Sequence, residues 1–371
     1  MPTPKVVASH HVALDAGETE NSGAPGHPGS LGVSERFPIA SVTKTLTALL
    51  AARLAVDGIL SWDDPIAPTT DLTLRGLLTH TAGVPFELDP GHWNATAPSV
   101  DDLDEALRDP PRLGLPPGTW HYSNFGYGLV GRVLERAANA PYAELLTRHV
   151  LAPLGMSSTS YPAPHEAAPL LGAAGPAGDL WSTMADLVIP GGALAGARPE
   201  VVTTSVLAML FESAVPSADG RELGPGIRSQ LVGFSRVIAA TGTISDRTTC
   251  LAVWPRRGVS VLVAEVGYDH DSLVDAALQR WRRADRQVGS WWWDGHEVID
   301  VRCGDDVELR VRETRWPFAL FTGRAVAGAL VGVDARGAPM QLSVRGDSLV
   351  GPQMVLTQRV GDSAYRNPAL P

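Results

Sequence analysis

Apolar residues recur at helical spacing over the first half of the chain and alternate in strand-like fashion later. Leu46, Leu49, Leu50 and Leu54 define a helix that starts near Ser41. Pro38 precedes it, and Gly58 and the turn at residues 62–65 follow it. Leu74, Leu77 and Leu78 predict a short second helix, ended by Gly83 and Pro85. Further helices are read at Val100–Arg108, from the Asn124 region through Leu129, Val130, Val133 and Leu134, at Pro141–His149, after Ser182 as a cap, and near Thr203–Phe211. Residues 84–117 and 190–226 carry many Pro, Gly and polar residues and read as long connections. Lys5–Leu14 reads as one early strand.

From about residue 227 the period changes. Gln230–Ala239, Thr249–Trp254 and Val259–Val266 read as consecutive antiparallel strands. A final helix, capped by Asp271 or Ser272, places Leu273, Val274, Ala277, Leu278 and Trp281 on one face. In residues 288–371, Val307, Leu309 and Val311 alternate with Glu308, Arg310 and Arg312, and Met340, Leu342 and Val344 repeat the pattern. The expected architecture is α/β of the α+β kind. An antiparallel sheet flanked by helices, with a mostly helical lobe inserted at about 60–225, fills residues 1–287, and a small all-β appendage fills 288–371. Trp291, Trp292 and Trp293 open the appendage. Neighbours on a strand point to opposite faces, so they are expected to bind the appendage to the main domain rather than stack a ligand.

Composition narrows the function classes. The 371 residues are 44% hydrophobic and 19% charged, enough for a globular protein with an ample core. The net charge of −10, without a basic patch, argues against nucleic acid as a partner. The Arg280–Arg283 run reads as a solvated helix face. No apolar run is long enough to span a bilayer, so no membrane partner is expected. The N-terminus lacks the continuous apolar stretch of a secretory signal, and Cys250 and Cys303 need not pair. Both features lead to the expectation of a cytoplasmic protein. There is no His-Glu-x-x-His and no Cys/His cluster, and the His10–His11 pair has no second ligand pair at suitable spacing. No metal or cofactor is expected.

The candidate chemistry begins at Ser41 and Lys44. Three residues apart at a helix start, they share one face. A serine hydroxyl is a weak nucleophile without a base in reach. A lysine serves as that base only when burial or a helix N-terminus disfavours its ammonium form. The pattern alone is short enough to arise by chance. Tyr122 and Asn124 lie at a loop-to-helix junction, where both side chains can enter a cleft. Equally, Asn124 can cap the helix while Tyr122 packs. His80, at a helix end, reads as structural.

The segments Ala40–Lys44, Leu77–Gly83, Pro117–Asn124, Ala177–Leu187 and Ala240–Gly242, in this order, resemble the serine β-lactamase and penicillin-binding-protein superfamily. The likeness covers roughly residues 30–285. It is nearest to the class C-like branch that also holds D-aminopeptidases, carboxylesterases and acyltransferases. The resemblance implies a β-lactamase/transpeptidase-like fold and an acyl-enzyme on Ser41. It makes Lys44 the base or proton-transfer partner and Tyr122 the second proton carrier. Asn124 becomes a ligand of Lys44 or of the substrate. The backbone N–H groups of Ser41 and Thr243 become the oxyanion donors, and Gly242 admits the substrate. One departure stands out. Where the family's third motif usually begins with Lys or His, this chain has Ala240-Thr241-Gly242. That argues against a β-lactamase or DD-peptidase and for a neutral small-molecule ester, amide or thioester. The expected function is a serine hydrolase or acyltransferase of small-molecule, possibly biosynthetic, metabolism. The competing expectation is a non-catalytic binding protein on a decayed scaffold; Ala240 motivates it and the other four side chains weigh against it.

Overall fold

The computed structural model describes residues 6–14, 19–22, 31–88, 97–163, 165–166, 171–217, 220–232, 235–255, 257–265, 267, 269–281, 286–293, 296–303, 306–311, 321–326, 329–334, 339–345, 348–350 and 355–358. The chain forms two compact units, one of residues 1–230 with 237–281, the other of 231–236 with 282–371.

In the first unit, strands β1 (Val6–Ala13), β2 (Thr19–Ser22) and β3 (Phe37–Pro38) precede a 3-10 turn at Ala40–Val42 and helix α1 (Thr43–Val56). The helical lobe follows with α2 (Leu74–Leu78), α3 (Val100–Arg108), α4 (Asn124–Ala138), α5 (Tyr142–Leu146) and α6 (Ala152–Leu154). Then come β4 (Trp181–Ser182), α7 (Met184–Leu194), α8 (Thr204–Glu212), β5 (Val215–Pro216), β6 (Glu222–Gly224), β7 (Ile227–Val232), β8 (Ser235–Ile244), β9 (Arg247–Trp254), β10 (Gly258–Glu265) and α9 (His270–Gln279). Among the described residues the main sheet has eight strands, in the order β2-β1-β10-β9-β8-β7-β6-β5. The printed pairings within it are antiparallel. β3 and β4 form a separate two-stranded ribbon.

β9 and β10 are buried almost without interruption, because both their faces are covered. α7 and α9 pack against both strands. α1 is not a one-sided amphipathic helix. Eleven of its fourteen residues are buried, Lys44 among them, so it is the central rod of the unit. Ala48, Ala51 and Ala52 are fully enclosed, and their small side chains let neighbouring elements come close.

The second unit is all-β. Strands β11 (Arg286–Trp293), β12 (His296–Cys303), β13 (Asp306–Val311), β14 (Phe321–Val326), β15 (Ala329–Asp334), β16 (Pro339–Arg345), β17 (Ser348–Val350) and β18 (Val355–Gln358) close into an antiparallel barrel. Leu309, Phe321, Leu330, Leu342 and Leu349 are buried in it. The role expected of Trp291, Trp292 and Trp293 concerns side chains outside the described residues, and so does the second half of the Arg280–Arg283 run.

Several local expectations need correction. The run read as one strand over Gln230–Ala239 belongs to two strands, β7 and β8, on either side of residues 233–234. The cap before α7 is Thr183, whose hydroxyl accepts from the Asp186 N–H, while Ser182 is buried against Thr159. Asp269 caps α9, accepting from the N–H groups of Asp271 and Ser272. The helix expected over Pro141–His149 is α5 running into a π-turn at Thr147–Leu151. Asn124 is not a cap either: Ser123 holds that place. Its hydroxyl accepts from the Gly126 N–H at 2.7 Å and donates to the Pro85 carbonyl at 2.6 Å.

Ser123 therefore fastens the start of α4 to the loop after α2. Ser123→Ala is expected to lower stability by about 1–2 kcal/mol, read as a lower midpoint in urea unfolding with an unchanged slope.

Candidate active site

Ser41 sits in the 3-10 turn that runs into α1. As the second residue of that turn, its N–H has no intrahelical acceptor. Ala40 before it holds a φ of +47°, a left-handed conformation that a non-glycine residue keeps only when its surroundings enforce it. One enforcing neighbour is β8. A methyl group on Gly242 would lie 2.5 Å from the Ser41 nitrogen and 2.8 Å from the Ile39 carbonyl oxygen, so only glycine fits at this crossing. The β6–β7 turn comes equally close one turn further along. A side chain on Gly226, at φ +66°, would strike the Lys44 carbonyl, and the Gly226 carbonyl accepts from the Thr45 hydroxyl at 2.6 Å.

Lys44 is only 2% exposed. Its Nζ donates to the Ala177 carbonyl at 2.6 Å, to Asn124 Oδ1 at 2.7 Å and to Ser41 Oγ at 3.3 Å. Burial pulls its pKa below the ordinary lysine value. The interaction with Tyr122 and the carboxylates of Glu87 and Asp179 resist that pull. The Tyr122 hydroxyl donates to Ser41 Oγ at 2.8 Å. Its ring lies 4.8 Å, centroid to nitrogen, from the Lys44 amine. Ser41, Lys44 and Tyr122 are thus within hydrogen-bond reach of one another, although 81 residues separate the first from the last.

Asn124 is the first residue of α4, and its side chain turns inward between Lys44 and Glu87. Its Nδ2 donates to Glu87 Oε1 at 2.7 Å. His80 takes the structural role expected of it. Its Nδ1 accepts from the Ser123 N–H at 3.1 Å, and its carbonyl accepts from the His121 N–H at 2.7 Å. Its ring lies 4.5 Å from that of Tyr122. Burial, with the Lys44 charge, pushes its pKa down to about 3, so it is a neutral platform beside the phenol at any ordinary pH.

A cavity of about 810 Å³ opens over these groups. Ser41, Lys44, Tyr122, Asn124, Ala240, Thr241, Gly242 and Thr243 all line it. Every site residue picked out from the sequence therefore reaches one cavity. Further residues on its wall were not picked out, among them His270, Arg228, Arg221 and Phe86. His270, at the start of α9, lies 3.0 Å from Thr241 Oγ1 through Nδ1 and 3.0 Å from Thr243 Oγ1 through Nε2. Arg228 donates to Asp271 Oδ1 at 2.8 Å, and Arg221 pairs with the other oxygen of the same carboxylate. Phe86 carries an exposed ring at the mouth. Glu87, behind Asn124, was also missed; it lies in a loop without periodicity. His10 and His11 are absorbed by the sheet, His10 by Asn21 and His11 by Ser260 at 2.7 Å.

An α/β fold with a large antiparallel sheet flanked by helices, with Ser-x-x-Lys and Tyr-x-Asn meeting at one cavity, defines a β-lactamase/transpeptidase-like protein. The chain belongs to the β-lactamase family, whose model matches residues 11–283. Among curated relatives, the D-alanyl-D-alanine-carboxypeptidase/endopeptidase AmpH of Escherichia coli K12 is 29% identical over 144 residues. The match covers 34% of this chain and 37% of that protein. The chain matches well under half the length of its curated relatives. Among solved structures, the octameric penicillin-binding protein homologue from Pyrococcus abyssi is 17% identical, with a TM-score of 0.63 over 96% of each chain. SurE, solved with D-Leu, is 21% identical, with a TM-score of 0.61 over 95% of each chain. Likeness at this identity carries the fold. Family membership adds catalytic potential, since the superfamily generally acts on acyl and amide substrates through a serine nucleophile.

Gly242→Ala must push β8 away from the Ser41 turn, because the added methyl meets backbone at 2.5 and 2.8 Å, and thermal melting tells that local shift from loss of the fold. The substitution should slow covalent labelling of the protein by a fluorophosphonate by about a hundredfold or more. Labelling within about threefold of wild type would show that the close approach is not needed.

Proposed function

We propose that the protein is a serine hydrolase or acyltransferase that forms an acyl-enzyme on Ser41 from a small ester, amide or thioester. One observation carries the reading. Among the acceptors of the Lys44 N–H groups, the Ala177 carbonyl and Asn124 Oδ1 carry no proton, whereas the Ser41 hydroxyl does. Once neutral, the amine keeps its two short bonds with its two N–H groups. Its lone pair then faces the serine hydroxyl. Burial favours that neutral form.

The reaction follows from this arrangement. Ser41 Oγ attacks the carbonyl carbon as its proton passes to Lys44 Nζ. The carbonyl oxygen becomes an oxyanion, held by the backbone N–H groups of Ser41 and Thr243. Tyr122 gives its phenolic proton to the leaving atom, the carbon–leaving-group bond breaks, and the proton on Lys44 returns the phenol to its starting form. Deacylation runs the same steps backwards. Water or an alcohol or amine acceptor supplies the attacking atom and gives its proton up through Tyr122. The acyl donor on this reading is a neutral molecule, because Ala240 puts no cation on β8.

Arg221 and Arg228 on the cavity wall favour a second reading, in which the acyl donor carries a carboxylate. D-Configured acyl donors belong in any panel, since AmpH is named for D-alanyl-D-alanine and SurE was solved with D-Leu.

Intact-mass spectrometry after exposure to p-nitrophenyl and thioester acyl donors is expected to show one added acyl group, lost in Ser41→Ala. No adduct in wild type, or an equal adduct in Ser41→Ala, would leave the binding-protein reading in its place. Faster acylation by carboxylate-bearing donors, abolished in Arg228→Gln, would select the second reading over the neutral one. The acylation rate is also expected to rise with pH through the lowered pKa of Lys44. Below it the ammonium form has no lone pair to offer; above it the neutral amine is fully populated. The midpoint should therefore fall well below that of a free lysine. A midpoint at the free-lysine value would count against Lys44 as the base.

A further inference from the structure

Two buried carboxylates stand near the Lys44 amine without a part in the chemistry above. Glu87 and Asp179 are each 4% exposed. Asp179 closes its own turn, accepting from the Leu171 N–H at 3.0 Å. Glu87 accepts instead from Asn124 Nδ2 at 2.7 Å, and Asn124 Oδ1 accepts from Lys44 Nζ at 2.7 Å. A carboxylate only accepts hydrogen bonds, so it takes the NH2 end of the amide, and the oxygen is left facing the amine. We propose that Glu87 is a positioning residue for acyl transfer: it holds the Asn124 amide in the one orientation that accepts from Lys44, and it places a negative charge behind that amine. The inference rests on the acyl-enzyme reading.

The charge has a direction of its own. The groups facing Lys44 come from every element around it. They are Tyr122 before α4, the ring of Tyr127 within α4 at 5.4 Å, Glu87 and His80 from the segment around the end of α2, and Asp179 before β4. His80 is neutral, and Tyr127 is held protonated by burial. Tyr122, Glu87 and Asp179 remain to oppose the desolvation of the ammonium, and they oppose it in that order. Removing the charge of Glu87 weakens the opposition, and Lys44 loses its proton at lower pH.

Glu87→Gln keeps the shape and an acceptor oxygen but drops the charge. Glu87→Asp keeps the charge but shortens the reach. The experiment is the pH dependence of Ser41 acylation by a p-nitrophenyl ester, with circular dichroism and thermal melting as controls for folding. In Glu87→Gln the acid limb is expected to move to lower pH by about one unit. Its plateau should fall, because the glutamine amide can turn and release Asn124. In Glu87→Asp the limb is expected to stay at the wild-type pH while the plateau falls. A folded Glu87→Gln with an unmoved limb overturns the inference and leaves the acyl-enzyme standing. If Glu87→Gln does not fold, Glu87→Asp decides: a shifted limb there overturns the inference, and an unshifted limb with a lowered plateau supports it. No acylation of wild-type Ser41 overturns the underlying reading and this inference with it.

Discussion

An amine removed from water governs the structure around α1. Burying an ammonium without partners is prohibitively costly, so the fold must either satisfy Lys44 or neutralise it. It does both in part. Three segments far apart in sequence bring an acceptor to Nζ: the turn at Ser41, the start of α4 and the Ala177 carbonyl. Those bonds draw the helical lobe and the 3-10 turn at residues 172–177 onto the central helix, and burial weakens the hold on the proton. Stability and reactivity draw on the same group. The residues that make α1 a fully enclosed rod also make its lysine a candidate base.

The close packing required is paid for in backbone freedom, at few positions. Gly226 and Gly242 are where β-structure touches the first turn of α1, and a side chain at either would strike backbone. Ala40, beside Gly242, holds a left-handed φ. With β8 held against the Ser41 nitrogen, Ser41 lines the cavity at the start of α1.

Local periodicity carries what is local. The face shared by Ser41 and Lys44, the stripe of α2 and the paired strands β9 and β10 were all readable, because each depends on neighbours within a few residues. The caps were misread by one to three places, since Ser, Thr and Asp compete for the same task and the sequence around α7 and α9 offers several of each. The break between β7 and β8 was missed because the run around Gly233 and Phe234 carries only one turn-forming residue. The full enclosure of α1 was not legible, because its small residues do not register as core. The site's second layer was illegible for another reason. Glu87, His270, Arg221 and Arg228 gain meaning only through partners 27 to 50 residues away, which no spacing rule reaches. Tyr122 and Asn124 became readable only because their motif accompanied others in a familiar order.

The missing cation at Ala240 looks different once the cavity wall is complete. β8 supplies backbone, small side chains and two threonine hydroxyls, while the ionisable groups of that wall come from elsewhere. His270 bridges the hydroxyls of Thr241 and Thr243, and burial, with the charge of Arg228, keeps its pKa below the usual imidazole value. A neutral ring donates through one nitrogen and accepts through the other. One threonine then gives its proton to the ring, and the other keeps its proton for a neighbour or a ligand. The strand that elsewhere in the family carries a charge at this place here has an ordered pair of hydroxyls, with Arg228 on the neighbouring β7 and Arg221 just before β6. On the opposite side, Tyr122 is bordered by the rings of His80, Phe86 and Trp120, with the last two exposed at the cavity mouth. An acceptor with an apolar body gains burial against those rings as it approaches the phenol, and water gains nothing there. On the proposed acyl-enzyme, hydrolysis and transfer share every protein group and differ only in what occupies the space beside Tyr122.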